Sequence, residues 1–184
     1  MTVITGVIYP FFMTGIAQLV FRGKANGSLV MKDGRIIGSE LIGQKSDSSI
    51  YFWSRPSAID YNPIPSGASN LGPTSDKLKK QIADRRILFA TKNSITDTSA
   101  IPKEMIFASG SGLDPDISGK AALLQVDRIV KARNFTDKQK ADLIKIIGEL
   151  TKKPQFMFLG EERINVLNLN LTLDKLDTNK FNNK

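Results

Sequence analysis

Two segments rich in Gly and Ser have the composition of loops that bind anions. They read SGASNLGPTS (66–75) and SGSGLDPDIS (109–118), and each leads into the predicted start of a helix. Backbone amides of a Gly-rich turn at a helix N-terminus bind phosphate or carboxylate groups. The alternative is a plain helix start that needs a positive φ and a Ser cap. The residues predicted to contact an anion are Ser109, Gly110, Ser111 and Gly112.

The sequence has few side chains that are suited to catalysis. There is no Cys and no His, which excludes disulfides, thiolate nucleophiles, His general bases and the usual zinc ligands. The Ser-Gly turns have no positioned base in the sequence pattern, and no GxxxxGK[ST] phosphate loop is present. We therefore predict a non-catalytic protein with no metal site and no tightly bound cofactor.

Six polar residues are candidates for fixing loops or for contacting a partner protein. They are Gln44, Arg55, Asn70, Asp114, Ser118 and Gln125. Arg55 and Asn70 lie in the segment 54–74, whose four prolines make it too loop-like for regular structure. Asp114 and Ser118 stand just before a predicted helix, where a turn or a cap is the alternative interpretation.

Short extended pieces are predicted at four places. Asp-Gly at 33–34 between apolar residues predicts a hairpin over 28–37. Residues 41–44 and 51–53 are interpreted as further extended pieces. From Leu167 to Leu173 apolar residues alternate strictly, which predicts a half-buried strand, although a helical face is the alternative.

Three helices are predicted after the Pro-rich segment. The first begins at a cap on Thr74 or Ser75 and runs to about residue 92. The second runs from Ser118 to about residue 133. A capping box of Thr136 and Gln139 opens the third, which ends near residue 150 and packs on the second as a helical hairpin. The predicted fold class is α+β, with a small sheet and about three helices in one soluble domain over residues 22–184.

Residues 1–21 contain no charged side chain. As a helix, this run spans roughly 30 Å, the thickness of the hydrocarbon core of a bilayer. We predict a transmembrane helix over 1–21. A cleaved signal peptide and a buried helix are the alternatives, but no basic residue precedes the run, and Pro10 costs about 3 kcal/mol inside a soluble helix. Gly6 and Gly15 suit close contact with other membrane helices.

The charge pattern bears on partners and on orientation. The net charge is +8, and much of the basic excess falls in predicted helices, where solvated faces are the simplest interpretation. There is no RNA-binding run or zinc-finger spacing, so we predict no nucleic-acid partner. Arg22 and Lys24 follow the apolar run, which taken alone places the domain inside the cell.

An ordered series of phrases resembles the C subunit of the bacterial Kdp potassium-transporting ATPase, the KdpC family. The resemblance covers nearly the whole chain. The phrases are TGVIYP (5–10), ANGSL (25–29), GSELIGQ (38–44), YFWSRPSA (51–58), YNPIPSGASNLGPT (61–74), ASGSGLDPDIS (108–118), QVDRIVKAR (125–133) and LGEERINVLNLNLTLDKL (159–176).

Departures from the family pattern are local. The family usually has Gly at the position of Ala68, Pro at those of Asp127 and Glu162, and often His at that of Asp116. It also usually has more residues before TGVIYP, often with a basic flank. We therefore expect a shortened start in this chain, which weakens the orientation drawn from charge.

The resemblance implies a single-span accessory subunit of an ATP-driven potassium importer in the bacterial inner membrane. The implied partners are a channel-like potassium-translocating subunit, an ATP-hydrolysing P-type subunit, a small membrane subunit and membrane lipid. The implied roles are assembly and stability of the pump, and a catalytic chaperone function that raises the ATP affinity of the ATPase subunit. The implied place of the soluble domain is extracytoplasmic.

These implied roles set two physical conditions. A domain outside the membrane cannot touch ATP inside, so an effect on nucleotide requires long-range coupling. A basic domain also repels potassium on average, so a potassium path requires local carboxylates or carbonyls. Asp114 and Asp116, or Asp60, are the candidates, and a role as surface caps is the alternative. The alternative function is a membrane-anchored anion- or nucleotide-binding module that uses the Gly/Ser-rich loops.

Overall fold

The computed structural model describes the backbone of residues 1–182 and the side chains of residues 1–177. The chain forms two compact units, Met1–Leu41 and Ile42–Lys184. Two small sheets and several helices make up the described residues. The predicted α+β class is therefore confirmed.

A helical segment opens the first unit. Helical backbone continues from residue 2 to residue 20, as a π-helical turn (Ile4–Ile8) followed by α1 (Tyr9–Val20). Pro10 cannot donate a backbone hydrogen bond, and its ring crowds the turn before it, which here is the wider π-helical turn. In the part of the chain that the structure describes, no single helix has both the length and the apolar character needed to span a bilayer.

After α2 (Arg22–Ala25), the first unit ends in the predicted hairpin, which is confirmed. β1 (Leu29–Lys32) and β2 (Arg35–Ser39) pair antiparallel, with a bulge after Val30. Asp33 and Gly34 have φ angles of 51° and 76°. Two positive φ angles in a two-residue connection match the twist of the strands, which explains the Asp-Gly sequence.

The described part of the second unit contains five α-helices, a second small sheet and two short 3₁₀ helices (Thr98–Ala100 and Lys103–Met105). The helices are α3 (Asp76–Asn93), α4 (Gly119–Leu123), α5 (Val126–Arg133), α6 (Asp137–Leu150) and α7 (Val166–Asn182). The side chains of Ser75, Ser118 and Thr136 cap α3, α4 and α6, as the sequence predicts. The helix predicted from Ser118 to about residue 133 is split in two at residues 124–125.

The strand predicted over 167–173 is wrong, because these residues form α7. Only β4 (Ile164–Asn165) is extended there, and it pairs with β3 (Asp116–Ile117). Leu169 and Leu173, four residues apart, are fully buried, so the helical period decides which face packs inward. Asn165 starts the helix, since its Oδ1 accepts the N–H of Asn168 at 3.1 Å.

Residues 41–44 and 51–53, predicted as extended pieces, are not strands either. The core of the second unit lies between the helices, where α6 packs against α4, α5 and α7. Its largest fully buried apolar side chains are Phe52, Ile129, Leu143, Ile164, Leu169 and Leu173. Phe52 belongs to a non-helical segment, so that segment is built into the core rather than laid over it.

Candidate functional site

Residues 48–53, named here the buttressed segment, have no strand partner, yet each of their carbonyls accepts a hydrogen bond from a side chain. The principal donors are Gln125, Arg128, Arg133 and Asn170. They belong to α5, to the residue that precedes it and to α7. The buttressed segment is therefore fixed by two helices that follow it by more than 70 positions.

Arg128 is the central donor, although it is only 8% exposed. Its guanidinium donates to the carbonyls of the first, second and fourth residues of the buttressed segment at 3.0, 2.6 and 3.0 Å. It also donates to Asn93 Oδ1 and Gln125 Oε1 at 2.9 and 2.8 Å, and lies 4.5 Å from the centre of the Trp53 ring. Burial lowers the pKa of Arg128 to about 10, so the side chain is charged at neutral pH.

Two side-chain amides take the place of a neighbouring strand. Asn170 accepts the N–H of Phe52 at 2.8 Å and donates to its carbonyl at 3.0 Å. Gln125, which is fully buried, accepts the N–H of Trp53 at 2.8 Å and donates to its carbonyl at 3.4 Å. A side-chain amide carries both an acceptor oxygen and donor N–H groups. Each of these two amides can therefore bond to both the N–H and the carbonyl of one backbone residue. The predicted extended piece at 51–53 is thus paired by side chains instead of by a sheet.

Arg55 and Asp114, two of the predicted candidates, form an ion pair. Arg55 Nη1 lies 2.7 Å from Asp114 Oδ2, and the two side chains are 25% and 30% exposed. The other Asp114 oxygen accepts the N–H of Asp116 at 3.0 Å. The carbonyl of Arg55 accepts from the hydroxyl of Tyr61, and burial raises the pKa of Tyr61 to about 12. The Pro-rich loop is therefore tied to the segment before α4.

The run predicted to contact an anion has committed two of its four amides within the protein. The N–H of Ser109 donates to the carbonyl of Pro56 at 3.1 Å, and the N–H of Gly112 donates to the carbonyl of Ser109 at 3.3 Å. The carbonyl of Ser111 accepts from the N–H of Gly67 at 3.1 Å, which joins the two Gly/Ser-rich segments to each other. Six residues separate the end of the run from the start of α4, so its amides do not form a helix N-terminus.

Gly43 and Gly112 mark the closest backbone approaches in this region. A Cβ on Gly43 would lie 2.5 Å from the carbonyl oxygen of Asp114, and a Cβ on Gly112 would lie 2.5 Å from Ile59. The N–H of Gly43 also donates to the carbonyl of Leu113 at 2.7 Å. At Gly43 the neighbouring atoms are backbone, so the close approach leaves no room for a side chain. At Gly112 the neighbour is the flexible Ile59 side chain, and the φ of 71° is the feature that favours glycine.

The other three candidates occupy different places. Ser118 caps α4, with its Oγ accepting the N–H of Ala121 at 3.1 Å. Asn70 is exposed and has a φ of 51°, as expected of a turn residue. Gln44 is exposed, and its carbonyl accepts from Ser54 Oγ at 3.1 Å. The structure therefore brings Arg55 and Asp114 together and keeps Asn70 and Gln44 at the surface.

The three carboxylates considered for a potassium path are each paired with a cation. Asp60 lies 2.8 Å from Lys45 Nζ, Asp114 pairs with Arg55, and Asp116 Oδ2 lies 3.2 Å from Arg163 Nε. Burial raises the pKa of Asp116, and Arg163 opposes that shift. Asp114 and Asp116 line a cleft of about 250 Å³ with three further carboxylates. The residues described by the structure contain no group of three or more acidic side chains arranged to hold a metal ion.

Arg128 and Asn170, two of the four principal donors to the buttressed segment, are missing from the sequence-predicted candidates. Both lie on amphipathic helices, where a polar residue is usually assigned to solvent. One signal was present for Arg128: it follows Gln125 by three positions, which places both on one face of a helix. No signal in the sequence connects either residue to 48–53.

The chain is similar to known proteins over most of its length. The family described as "KdpC: K+-transporting ATPase, c chain" matches residues 1–175. The chain is 48% identical over 175 residues to the potassium-transporting ATPase KdpC subunit of Burkholderia mallei (strain SAVP1), a match that covers 93% of this chain and 88% of the relative.

A second relative extends the same similarity. The KdpC subunit of Burkholderia vietnamiensis (strain G4 / LMG 22486) is 46% identical over 179 residues, which covers 95% of this chain and 90% of the relative. The family match over residues 1–175 includes the hairpin, the buttressed segment and α3 to α6. The chain belongs to the KdpC family, the c chain of potassium-transporting ATPases.

Proposed function

We propose that this chain is a non-catalytic subunit that holds a potassium-importing ATPase together. The observation that carries the proposal is that its buried and half-buried polar residues form hydrogen bonds and ion pairs within the protein. Arg55, Asp114, Ser118, Gln125 and Arg128 bond to one another and to backbone, so they build a rigid framework. A framework of this kind presents fixed surfaces to partners, which is what an assembly subunit requires.

The proposed place of the chain is the bacterial inner membrane, with residues 1–21 as its anchor. Helical backbone covers residues 2–20, and no side chain in that range is buried. Nineteen helical residues extend about 28 Å, close to the thickness of the hydrocarbon core. A potassium-transporting ATPase subunit is associated with a membrane, and this apolar segment is suited to that association. We place the second unit on the extracytoplasmic side.

The proposed partners are the channel-like potassium-translocating subunit, the ATP-hydrolysing P-type subunit and the small membrane subunit of the pump. Deleting the chain should abolish recovery of the assembled pump from membranes. Affinity purification through a tag on the ATP-hydrolysing subunit, followed by mass spectrometry, measures this recovery. Re-expression of the full chain is the control, and an intact, active pump without the chain would contradict the proposal.

We also propose that the chain raises the ATP affinity of the ATPase subunit through coupling between sites, without touching nucleotide itself. The committed amides of the Ser109–Gly112 run support this choice over direct binding. Coupling is reciprocal, so ATP should tighten binding of the chain by the same factor by which the chain tightens ATP binding, typically about 5- to 150-fold.

Titration of the chain onto the remaining pump subunits, with and without ATP, measures this factor. Isothermal titration of the chain alone with ATP is the control, and no heat is expected at millimolar nucleotide. Heat of binding in that control would instead favour the alternative function, a nucleotide-binding module that uses the Gly/Ser-rich loops. A chain affinity that ATP leaves unchanged would contradict the coupling.

A further inference from the structure

Residues 152–163 form a narrow finger that projects from the core of the second unit. At its base, Lys152 and Arg163 exchange two backbone hydrogen bonds of 2.9 and 3.1 Å. Near its end, Gln155 and Leu159 exchange two more, both of 2.9 Å. The finger continues directly into β4 and α7, whose first residues are buried. Its end is therefore a defined turn on a rigid base.

The end of the finger, residues 156–159, is named here the apolar tip. Phe156, Met157, Phe158 and Leu159 are 79%, 92%, 76% and 51% exposed. Four consecutive large apolar side chains in water are unfavourable, because the free-energy cost grows with the apolar surface left exposed. Phe156 and Met157 also have φ angles of 53° and 70°. Bulky residues seldom adopt this left-handed backbone conformation. The tip therefore holds apolar side chains in solvent on an uncommon backbone conformation, which indicates a role other than packing in the core.

The geometry of the apolar tip favours a fluid apolar medium over a single protein surface. Three successive side chains are each more than three-quarters exposed, so none of them packs against the protein and all are open to the surrounding medium. The tip has no polar side chain to pair with a partner's polar groups. Lys152 and Lys153 stand on one arm of the finger, where long basic side chains reach lipid phosphates, and Glu161 and Glu162 stand on the other arm.

We propose that the apolar tip inserts into the boundary between headgroups and acyl chains of the lipid bilayer. This depth, about 5–10 Å, matches what aromatic and aliphatic side chains at an interface reach. The inference rests on the proposed membrane location of the chain but not on its role in pump assembly. Because residues 1–21 would already hold the chain at the membrane, a weak affinity of the tip for lipid is enough for insertion.

The test uses the full chain in vesicles of phosphatidylethanolamine and phosphatidylglycerol with brominated acyl chains, which quench tryptophan fluorescence on contact. Phe158→Trp places a fluorophore in the tip without disturbing the core. Phe107→Trp is the matched control, because Phe107 is an exposed aromatic residue elsewhere in the second unit. Phe12→Trp reports on the anchor, and the wild-type chain gives the background from Trp53, which is in every variant.

We expect brominated lipid to remove about half or more of the added emission of Phe158→Trp, as for a side chain at interfacial depth, and little of that of Phe107→Trp. Quenching of Phe12→Trp without quenching of Phe158→Trp would overturn the proposal for the tip and leave the anchor standing. Unquenched Phe12→Trp would contradict the anchor alone. If Phe158→Trp in the assembled pump is shielded from acrylamide but not quenched by brominated lipid, a partner protein covers the tip, and lipid insertion is overturned.

Discussion

Replacing Arg128 with Met should lower the free energy of unfolding by about 3–5 kcal/mol. The change removes five hydrogen bonds from a buried guanidinium, three of them to carbonyls of the buttressed segment. Asn93 is buried, and its Oδ1 loses the donor that Arg128 supplies. An unsatisfied buried polar group costs about 1–3 kcal/mol, and the carbonyls of the segment lose further bonds. Urea denaturation of the full chain in mild detergent, followed by far-UV circular dichroism, measures the loss.

Two further variants show whether the loss comes from the hydrogen bonds. Arg86 is exposed on α3, so Arg86→Met removes an equal charge and should change stability by less than about 0.5 kcal/mol. Arg128→Lys keeps the charge but lacks the planar set of donors, and we expect it to lose most of the same stability. If Arg128→Met unfolds at the same urea concentration as Arg86→Met, the buttressed segment does not depend on Arg128.

Replacing Gly43 with Ala should cost about 2–4 kcal/mol of stability. The new Cβ would lie 2.5 Å from the carbonyl oxygen of Asp114 and 3.1 Å from that of Leu113. Both neighbours are backbone atoms, so the two segments must separate, and the 2.7 Å hydrogen bond from Gly43 to Leu113 weakens. The same denaturation measurement records the change.

Gly148→Ala is the matched control, and we expect it to change stability in the opposite direction. Gly148 lies in α6, is exposed, and has no atom within 4 Å of an added Cβ. Ala in a helix is favoured over Gly by about 0.5–1 kcal/mol, so this variant should be more stable than the wild type. Equal effects of the two substitutions would show that the approach at Gly43 is not tight.

Local sequence signals predicted the parts of the fold that depend on local chemistry. The Asp33-Gly34 turn and the caps at Ser75, Ser118 and Thr136 each involve residues within three or four positions of one another, and each is present in the structure. Such features are readable because the atoms that satisfy the backbone are neighbours in the chain.

The parts that were not predicted depend on distant residues. In LNLNLTL the alternation of Leu with polar residues imitates a strand, but burial of Leu169 and Leu173 against other helices selects the helical period. Similarly, Asn170 meets Phe52 across 118 positions, and no pattern in a single sequence marks that pairing. The Arg55–Asp114 pair was only half predicted: both residues were named, but not as partners.

The buttressed segment is also a site at which unfolded chains can associate with one another. Its sequence, SSIYFW, is short, uncharged and rich in residues that favour strands, which is the composition of segments that stack into fibrils. In the folded protein its carbonyls are all occupied, so a second chain finds no free ladder to extend. The donors, however, lie at positions 125–170. During synthesis the segment emerges long before them, and its carbonyls lack these donors until α7 has left the ribosome.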